Sequence, residues 1–478
     1  MTTVHIVPDG PNPNDTISIG FGTWKGALDG DDSFRAFADQ FTLSGGGGSD
    51  TIATSNATAS ILLGGGNDQV EVAHGEVTLR AGSGNDLIEA IRAGSLIRAG
   101  GGNDTITVLF GRSTIVAGDG RDQVDVQLGG HSIHLGSGND TVIWGSANAT
   151  IVTGAGNDSF SGQNGTHSIH AGSGDDTVFI RGGSSTIVAG RGDDFVRAIE
   201  GGRFAIHAGN GDDTIAVTEA DGFIHAGRGN DFIDLSEATG TVLTDPGGRA
   251  TIAATQGSWR IDAHGRDLIH LASGSGKITI GSGHDTIAAN EFSGTITGHG
   301  HDSMRIVISS AEVNAAGGHD TIALSGAIDL AAGHNDLIKF EDLSGFVTQA
   351  HVVKGVQVTL SGGRDTFVYQ YNDDNNESGP HAGDPTRAGI GTDVITGFDK
   401  RTDVLMFHDT GGDQFAKADL QNAATVVDHV GGHRITIIIH TTAGAAAGTI
   451  VLKGVGTIHH HLASIDDLMS HGYHLQFS

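Results

Sequence analysis

The chain has 478 residues, of which 78 are glycine, none is cysteine and only 5% are aromatic. Its formal net charge is −30, from 56 acidic residues against 26 Lys and Arg. This composition excludes an ordinary globular core and predicts that nucleic acid is not a partner. No apolar run is long enough to span a membrane, and Met1–Asp9 lacks the basic and apolar regions of a Sec signal peptide.

Residues 1–44 are predicted to form atypical coils that cap the N-terminal end of a repeat. The stretch Asp32–Phe41 has the pattern of a short amphipathic helix, but the spacing of aspartates argues against a helix there. The interval from Asp15 to Asp32 is shorter by only one residue than the interval from Asp32 to Asp50. We expect three aromatic side chains to close the open end of the core: Phe21, Trp24 and Phe34.

A six-residue Gly-Asp turn recurs from Gly45 to Asp231 at a constant step of eighteen, with one step of nineteen between Asp194 and Asp213. A representative unit, Ala99–Val108, reads x-G-x-G-N-D followed by apolar residues in alternation, which is typical of a turn that leads into a strand. A coil of this length with two short strands leaves room for one thin layer of aliphatic side chains. Alternation predicts that Ile106 and Val108 point inward, as do Ile115 and Ala117 of the return strand.

The residue types in the turn indicate which ligand it binds. Glycines at positions two and four allow positive φ, so the backbone can curl until carbonyl oxygens converge. The aspartate at position six adds a carboxylate. Hard oxygen ligands without Cys or a fixed His suit Ca²⁺ and neither zinc nor copper, so we expect each cation to lie between one turn and the next turn of the repeat.

The predicted metal ligands are the aspartates that end these turns. Ten or so Ca²⁺ ions would supply roughly +20 and cancel most of the repulsion within the column, so folding should be linked to calcium. The predicted ligands are Asp32, Asp50, Asp68, Asp86, Asp104, Asp122, Asp140, Asp158, Asp176, Asp194, Asp213, Asp231, Asp267, Asp285, Asp302, Asp320, Asp336 and Asp365.

From about Asp32 to Asp393 the pattern resembles the repeats-in-toxin (RTX) nonapeptide G-G-x-G-x-D-x-U-x, which forms a calcium-loaded parallel β-roll. The resemblance implies an all-β, right-handed parallel β-roll or β-solenoid of ~18-residue coils. The usual repeat of nine residues places metal turns on both edges, whereas this spacing places them on one edge. Loops of the other edge, such as Phe110–Ser113, Leu128–His131 and Arg181–Ser184, offer no regular carboxylate, so we expect one column of calcium.

The outer side of the return strand carries basic and polar residues in register. We favour a solvated face there; the alternatives are a contact surface, a pH-sensitive surface and a transition-metal site. The column is Arg80, Arg98, Val116, His134, Val152, His170, Val188, His207 and His225.

The repeat lapses after Asp231, where Asp245–Arg249 places Arg249 at the expected aspartate position. Arg249 either replaces a calcium ion by its own charge or marks an empty site. The pattern resumes at Asp267. Histidine then replaces asparagine at position five in His284, His301 and His319, and because we expect that position to contribute its backbone, the change should weaken calcium binding without abolishing it.

After residues 45–336, the predicted calcium-binding solenoid, residues 337–392 are predicted to be degenerate coils. The spacing stretches to 29 residues at Asp365 and 28 at Asp393. The polar stretch Asn372–Gly389 is a candidate surface loop, with a cation site of its own as the alternative.

Residues 393–478 are predicted to form a β-rich C-terminal cap. Gly391–Asp399, Asp403–Leu405, Ile450–Val455 and Leu462–Leu468 resemble the C-terminal targeting region of type I secreted RTX proteins. The resemblance implies an uncleaved export signal, a type I exporter as a partner, and folding outside a Gram-negative cell in millimolar calcium. His459–His461 could ligate a metal, but three successive strand residues cannot all face one ion.

Several functions fit this sequence. We favour a secreted, non-enzymatic structural protein at the cell surface or in a matrix, which assembles with itself or contacts surface polysaccharide, because repeats, cap and targeting region account for the chain. An enzyme such as a polysaccharide lyase or epimerase is disfavoured, since neither H-E-x-x-H nor a G-x-S-x-G elbow occurs. Ice binding would need a threonine column at position three, where Gly65, Ser83 and Gly101 stand instead. A carbohydrate-binding adhesin is a further alternative that the sequence does not separate from the structural role.

Overall fold

The computed structural model describes residues 3–5, 16–19, 23–37, 40–315, 317–332, 336–340, 357–360, 365–371, 391–396, 398, 400, 403–409, 424–428, 434–440, 446–453, 455, 462 and 464–477. These residues form an all-β parallel β-solenoid of about 16 coils of ~18 residues, with about 2% helix. The predicted fold class is therefore confirmed. None of the helices in this described part is long and apolar enough to cross a membrane.

The first 22 strands are β1 (Thr3–His5), β2 (Thr16–Ile19), β3 (Thr23–Asp29), β4 (Ser33–Ala36), β5 (Gln40–Gly47), β6 (Thr51–Thr54), β7 (Ala57–Gly65), β8 (Gln69–Ser83), β9 (Leu87–Gly101), β10 (Thr105–Asp119), β11 (Gln123–Ser137), β12 (Thr141–Trp144), β13 (Asn148–Ala155), β14 (Ser159–Gln163), β15 (Thr166–Ser173), β16 (Thr177–Arg181), β17 (Ser184–Arg191), β18 (Phe195–Ile199), β19 (Arg203–Asn210), β20 (Thr214–Thr218), β21 (Asp221–Arg228) and β22 (Phe232–Leu243).

The later elements are β23 (Thr251–Ala263), β24 (Leu268–Gly283), β25 (Thr286–Gly300), β26 (Ser303–Ala315), β27 (Thr321–Ala332), β28 (Leu337–Phe340), β29 (Gln357–Leu360), β30 (Thr366–Tyr371), β31 (Gly391–Thr396), β32 (Val404–Asp409), β33 (Ala424–Asp428), β34 (Arg434–His440), β35 (Ala446–Lys453), the helix α1 (Ile465–Ser470) and β36 (His474–Phe477). The chain divides into two compact units, unit 1 (Met1–Gly240) and unit 2 (Thr241–Ser478).

Strand pairing follows the step seen in the sequence. In unit 1, β10 pairs with β11 in parallel, so that Ile106 lies beside Val124 on the outgoing strand and Ile115 lies beside Ile133 on the return strand. Each coil therefore has two faces and two edges. We call the edge with the Gly-Asp turns the aspartate edge, and the edge between outgoing and return strands the opposite edge.

The core of unit 1 is a single layer of aliphatic side chains, as predicted. Ile106, Val108, Ile115 and Ala117 are fully buried, and the same alternation recurs in the neighbouring coils. Where one coil places the large Trp144 indole inside, the next coil has Gly162 at the paired position, and a methyl group on that glycine would overlap the indole ring. A thin core accepts a large side chain only when its neighbour is small.

The N-terminal coils are strands, as the aspartate spacing predicted. β4 lies between β2 and β6 in parallel pairings, with Ser33 beside Thr16 and Thr51. The ring of the buried Phe34 packs 5.4 Å from that of Phe41. Trp24 lies in β3. Asp15 and Phe21 fall outside the described residues.

The C-terminal part of unit 2 combines parallel coils with an antiparallel sheet. β31 and β32 continue the parallel pairings of β29 and β30, whereas β33, β34 and β35 pair antiparallel. Helix α1 begins after the N-cap Ser464, whose Oγ accepts a hydrogen bond from Asp467 N–H at 3.1 Å. The stretches Asn372–Gly389 and His459–His461 lie outside the described residues.

Candidate metal site: a ladder of buried aspartates

The aspartate edge of unit 1 is a continuous ladder of side-chain hydrogen bonds. The backbone N–H of each aspartate from Asp32 to Asp213 donates to Oδ1 of the aspartate in the next coil, at 2.7 to 3.1 Å. All the predicted ligand aspartates are at least 97% buried. A buried carboxylate of this kind needs a counter-charge.

The second oxygen of each carboxylate has no hydrogen-bond partner among the described residues through most of this ladder. Such an atom is expensive to bury unless a cation or a proton accompanies it. In unit 1 the atoms are Oδ2 of Asp50, Asp68, Asp86, Asp104, Asp122, Asp140, Asp158, Asp176, Asp194 and Asp213.

Backbone carbonyls border the same space. A methyl group on Gly45 would overlap Asp50 Oδ2 and lie 3.0 Å from Leu63 O, so a carboxylate and a carbonyl oxygen face one point. Position-four glycines are needed for the same close approach: Gly102 has φ of 127°, and a methyl group on it would overlap the carbonyl oxygen of Gly84. The turn thus brings together oxygen donors only.

The ladder aspartates from Asp50 to Asp213 have raised pKa values and resist ionisation in the absence of metal. Burial is the main cause, the hydrogen bond from the preceding coil opposes it, and the charges of neighbouring aspartates add to it. The pKa rises to about 6 for Asp50, Asp140 and Asp194, and to about 7 for Asp86, Asp122, Asp176 and Asp213. A rise of about 3 units corresponds to about 4 kcal/mol for one charged carboxylate.

A second ladder runs along the outside of the same turns. At position five, the backbone N–H of Asn85 donates to Asn67 Oδ1 at 2.7 Å, and Asn103 donates to Asn85 Oδ1 at 2.6 Å. The two ladders have opposite sense, because the inner acceptor belongs to the following coil and the outer acceptor to the preceding coil. Position five was expected to contribute its backbone to calcium binding; its side chains in addition join adjacent coils, which the sequence analysis did not predict.

The histidines at position five of unit 2 preserve part of this arrangement. His301 Nδ1 accepts a hydrogen bond from His319 N–H at 3.0 Å, as an asparagine oxygen does elsewhere. The rings of His284, His301 and His319 are stacked at centroid distances of 5.2 and 5.3 Å. At His301, imidazole nitrogen therefore replaces amide oxygen as the acceptor, and the aspartate ladder beside it continues.

In unit 2 the structure contradicts the prediction that Arg249 occupies an aspartate position. Thr251 pairs with Leu268, which places Ala250 and not Arg249 beside Asp267. Ala250 N–H donates to Asp267 Oδ1 at 2.8 Å, and Arg249 is exposed. Arg249 thus does not occupy the aspartate position, so its charge cannot replace a buried ion there. The step after Asp231 is nineteen residues, so the aspartate position falls on Ala250.

The ladder of unit 2 then runs from Asp267 to one aspartate that the sequence analysis did not assign as a ligand. Asp365 N–H donates to Asp403 Oδ1 at 3.2 Å, and Asp403 is buried. Asp393, predicted as the next turn, instead lies in β31 and pairs with Ile450. The signal that could have found Asp403 is the buried apolar residue two positions after it, Leu405, as in the other coils.

The outer return-strand column is aligned as predicted. Val188, His207 and His225 are paired in successive coils, and the rings of His207 and His225 meet edge to face at 5.9 Å. Partial burial and the charge of His225 lower the pKa of His207.

The described residues hold no group of three or more His, Asp or Glu side chains arranged for a metal ion. Any cation site among these residues must therefore rely on backbone carbonyls as well as carboxylates.

The opposite edge carries features that the sequence analysis missed. Glu200, Glu219 and Glu237 lie in register and adopt left-handed backbone conformations, with φ of 59°, 52° and 51°. Carboxylates therefore do recur on this edge, although not in the three loops named above. Near the middle of the unit, His131 and His167 are buried in one column, and His167 Nε2 lies 3.0 Å from Trp144 Nε1 and 2.6 Å from Asn164 O.

These observations define a parallel β-solenoid with an oxygen-lined turn in each coil. A family model described as the RTX calcium-binding nonapeptide repeat (4 copies) matches residues 62–90, 98–130, 144–178 and 206–241. The chain carries RTX calcium-binding nonapeptide repeats, and these repeats bind calcium. A search among curated proteins found no significant match to the chain.

Proposed function

We propose that the protein is a secreted structural component of a cell surface or extracellular matrix that folds when calcium binds along its aspartate edge. The observation that carries the proposal is the column of buried aspartate oxygens without a hydrogen-bond partner among the described residues. Ca²⁺ prefers carboxylate and carbonyl oxygens, which are the donors at this edge. The predicted ligand aspartates, together with Asp403, would hold the ions.

Calcium binding would decide whether the chain folds. With about 4 kcal/mol at stake for a strongly shifted carboxylate, a few charged ladder aspartates would cancel the roughly 5–15 kcal/mol that usually stabilises a domain. Extracellular calcium modules bind at ~10⁻⁴ to 10⁻³ M. The chain would then stay unfolded in low cytosolic calcium, leave through a type I exporter and fold outside.

A structural role fits the surface of the described residues better than catalysis does. The coils present regular faces, and a shallow hollow of about 740 Å³ on the opposite edge is lined by Phe110, Arg112, Leu128, Asn148 and glycine backbone. That lining contains no paired acid and base of the kind that hydrolysis or elimination requires. The residues of the hollow suit contact with another surface.

Circular dichroism of the full chain tests the proposal. We expect a disordered spectrum in excess chelator, a β-rich spectrum after calcium is added, and no comparable change with the same concentration of Mg²⁺, which demands a stricter geometry. A β-rich spectrum that chelator leaves unchanged would refute calcium-driven folding. Electron microscopy with and without calcium tests the structural role, for which we expect ordered assemblies in calcium only.

A further inference from the structure

We propose that the opposite edge of unit 1 pairs with the same edge of a second copy of this chain, in antiparallel orientation about a twofold axis. This inference deepens the proposed structural role by naming the partner and the surface. It rests on the distribution of charge along that edge. The outward positions lie six and eight residues after each ladder aspartate, and strand pairing keeps them aligned from coil to coil.

One end of this edge is basic and apolar. Arg92, Phe110 and Leu128 are aligned in three successive coils, and Arg112 stands beside Phe110. The Arg92 guanidinium lies 5.5 Å from the centre of the Phe110 ring. All four side chains are exposed, Phe110 by 39% and Leu128 by 44%. We call these four residues the basic segment.

The other end is acidic. Glu219 and Glu237 occupy the column that contains Arg92 and Phe110, while Asp221 occupies the column of Arg112. All three are exposed. Both glutamates have positive φ, a conformation that glycine adopts at lower cost. We call these three residues the acidic segment.

The spacing of the two segments creates self-complementarity. Counting coils by their ladder aspartates, the coil of Asp158 lies midway, three coils from both Asp104 and Asp213 and four coils from both Asp86 and Asp231. A twofold axis through that coil therefore places Arg92 opposite Glu237 of the other copy, and places Phe110 and Arg112 opposite Glu219 and Asp221. Each pairing occurs twice, as a twofold interface requires.

The middle of the edge does not oppose this arrangement. Glu200 is paired with Arg181 at 2.5 Å and would face the uncharged Leu128, while the exposed Arg203, which lies in the column of Arg112, would face Gly130. Polar, uncharged side chains such as Asn148 and Ser184 face each other nearer the axis. A parallel orientation would instead place the arginines opposite arginines and the glutamates opposite glutamates, which costs affinity.

The size of the edge sets the expected strength. Nine coils at about 4.8 Å give a strip roughly 40 Å long, and a width of about 10 Å gives roughly 400 Å² per copy. This is at the low end for specific association, so we expect a weak dimer that dissociates as salt rises, because its charge pairs are exposed. Calcium favours it by reducing the repulsion between two chains of high negative charge.

Sedimentation velocity of the calcium-loaded full chain tests the pairing with two charge-reversal variants. R92E/R112E leaves only acidic charge in both the basic and the acidic segments, and E219R/D221R/E237R leaves only basic charge in both, so each alone should lose the dimer, with at least a tenfold rise in Kd. Mixed in equal amounts, the two variants should form a heterodimer. R80E/R98E changes the net charge by the same amount as R92E/R112E but on the return-strand face. This control variant should dimerise like the unchanged protein.

The outcomes separate this inference from the proposed function. Circular dichroism first confirms that each variant folds in calcium. A calcium-folded protein that stays monomeric, variants that dimerise unchanged, or a mixture that forms no heterodimer would overturn the pairing and leave calcium-driven folding intact. Binding of an added polyuronate by the monomeric protein, lost in R92E/R112E, would assign the basic segment to an acidic polysaccharide and also overturn it.

Discussion

The two edges of unit 1 are built from the same coils but differ in regularity. On the aspartate edge, the same glycines and the same aspartate recur in nearly every coil, and each carboxylate meets the next coil in the same way. On the opposite edge the outward residue changes from Arg92 to Phe110, then to Leu128 and finally to Glu219 and Glu237. Uniformity is what the proposed binding of one kind of ion in many turns requires, whereas no such requirement acts on the opposite edge.

The largest effect should come from a methyl group at a crowded glycine of the aspartate edge. Gly102→Ala would force the side chain against the carbonyl of Gly84 at a φ of 127°, so we expect a loss on the order of 3–5 kcal/mol. Gly101→Ala is the matched control, because no atom lies within 4 Å of the added methyl group. Calcium-dependent thermal unfolding measures both. Equal destabilisation would contradict the close packing of the turns.

The next effect compares two adjacent carboxylates of one turn. Asp176 is buried in the inner ladder, whereas Asp175 is exposed in the outer ladder, where other coils carry asparagine. Asp176→Asn keeps an acceptor for Asp158 N–H but removes the charge, so calcium affinity should fall about tenfold or more. Asp175→Asn should change it less than about twofold. Calorimetric calcium titration measures the affinity of both variants. An equal loss of affinity in the two would place the ions outside the inner ladder.

Acid should partly replace calcium on the aspartate edge. The pKa of Asp86 and Asp176 is raised from 3.8 to about 7 by burial, so the metal-free folded state holds protons that the unfolded chain releases. Their destabilising effect is absent below about pH 4 and grows as pH rises towards 7. We therefore expect the metal-free chain to gain β structure, seen by circular dichroism, as pH falls from 7 to 5. A metal-free spectrum independent of pH would contradict the burial of these carboxylates.

The opposite edge should show a smaller effect of the opposite sign in saturating calcium. Burial lowers the pKa of His131 and His167, so the unfolded chain takes up protons first and stability falls as pH drops below about 6.5. Replacing both with serine should flatten that decline. The control replaces the exposed His134 and His170. Thermal unfolding between pH 7 and 5.5 measures both, and matching slopes would exclude a role for the buried pair.

Much of the fold could be predicted because the interval between turns is written directly in the sequence. Once Asp104 and Asp122 are aligned, the inward positions of Ile106 and Ile115 follow from strand alternation alone. The alignment of the aspartates in one column also follows, since they end every turn. Each of these inferences depends only on one coil and its immediate neighbours.

The predictions from the sequence were wrong or incomplete where the interval between turns changes or where the direction of a side chain decides a contact. One added residue moved Ala250 into the place assigned to Arg249, and a separation of 38 residues concealed the link from Asp365 to Asp403. The outer ladder at position five depends on the direction of the asparagine side chain, which spacing does not reveal. Glu219 and Glu237 belong to no repeated motif, so only the register of adjacent coils shows that they are aligned.

The most direct test of calcium-driven folding along one edge is a crystal structure of the protein grown in calcium, with anomalous data collected at long wavelength. We predict one anomalous peak between each pair of consecutive turns from Asp50 to Asp213, within about 2.3–2.6 Å of an aspartate oxygen. We predict no comparable column along the opposite edge. An ordered solenoid without these peaks at saturating calcium would contradict the account.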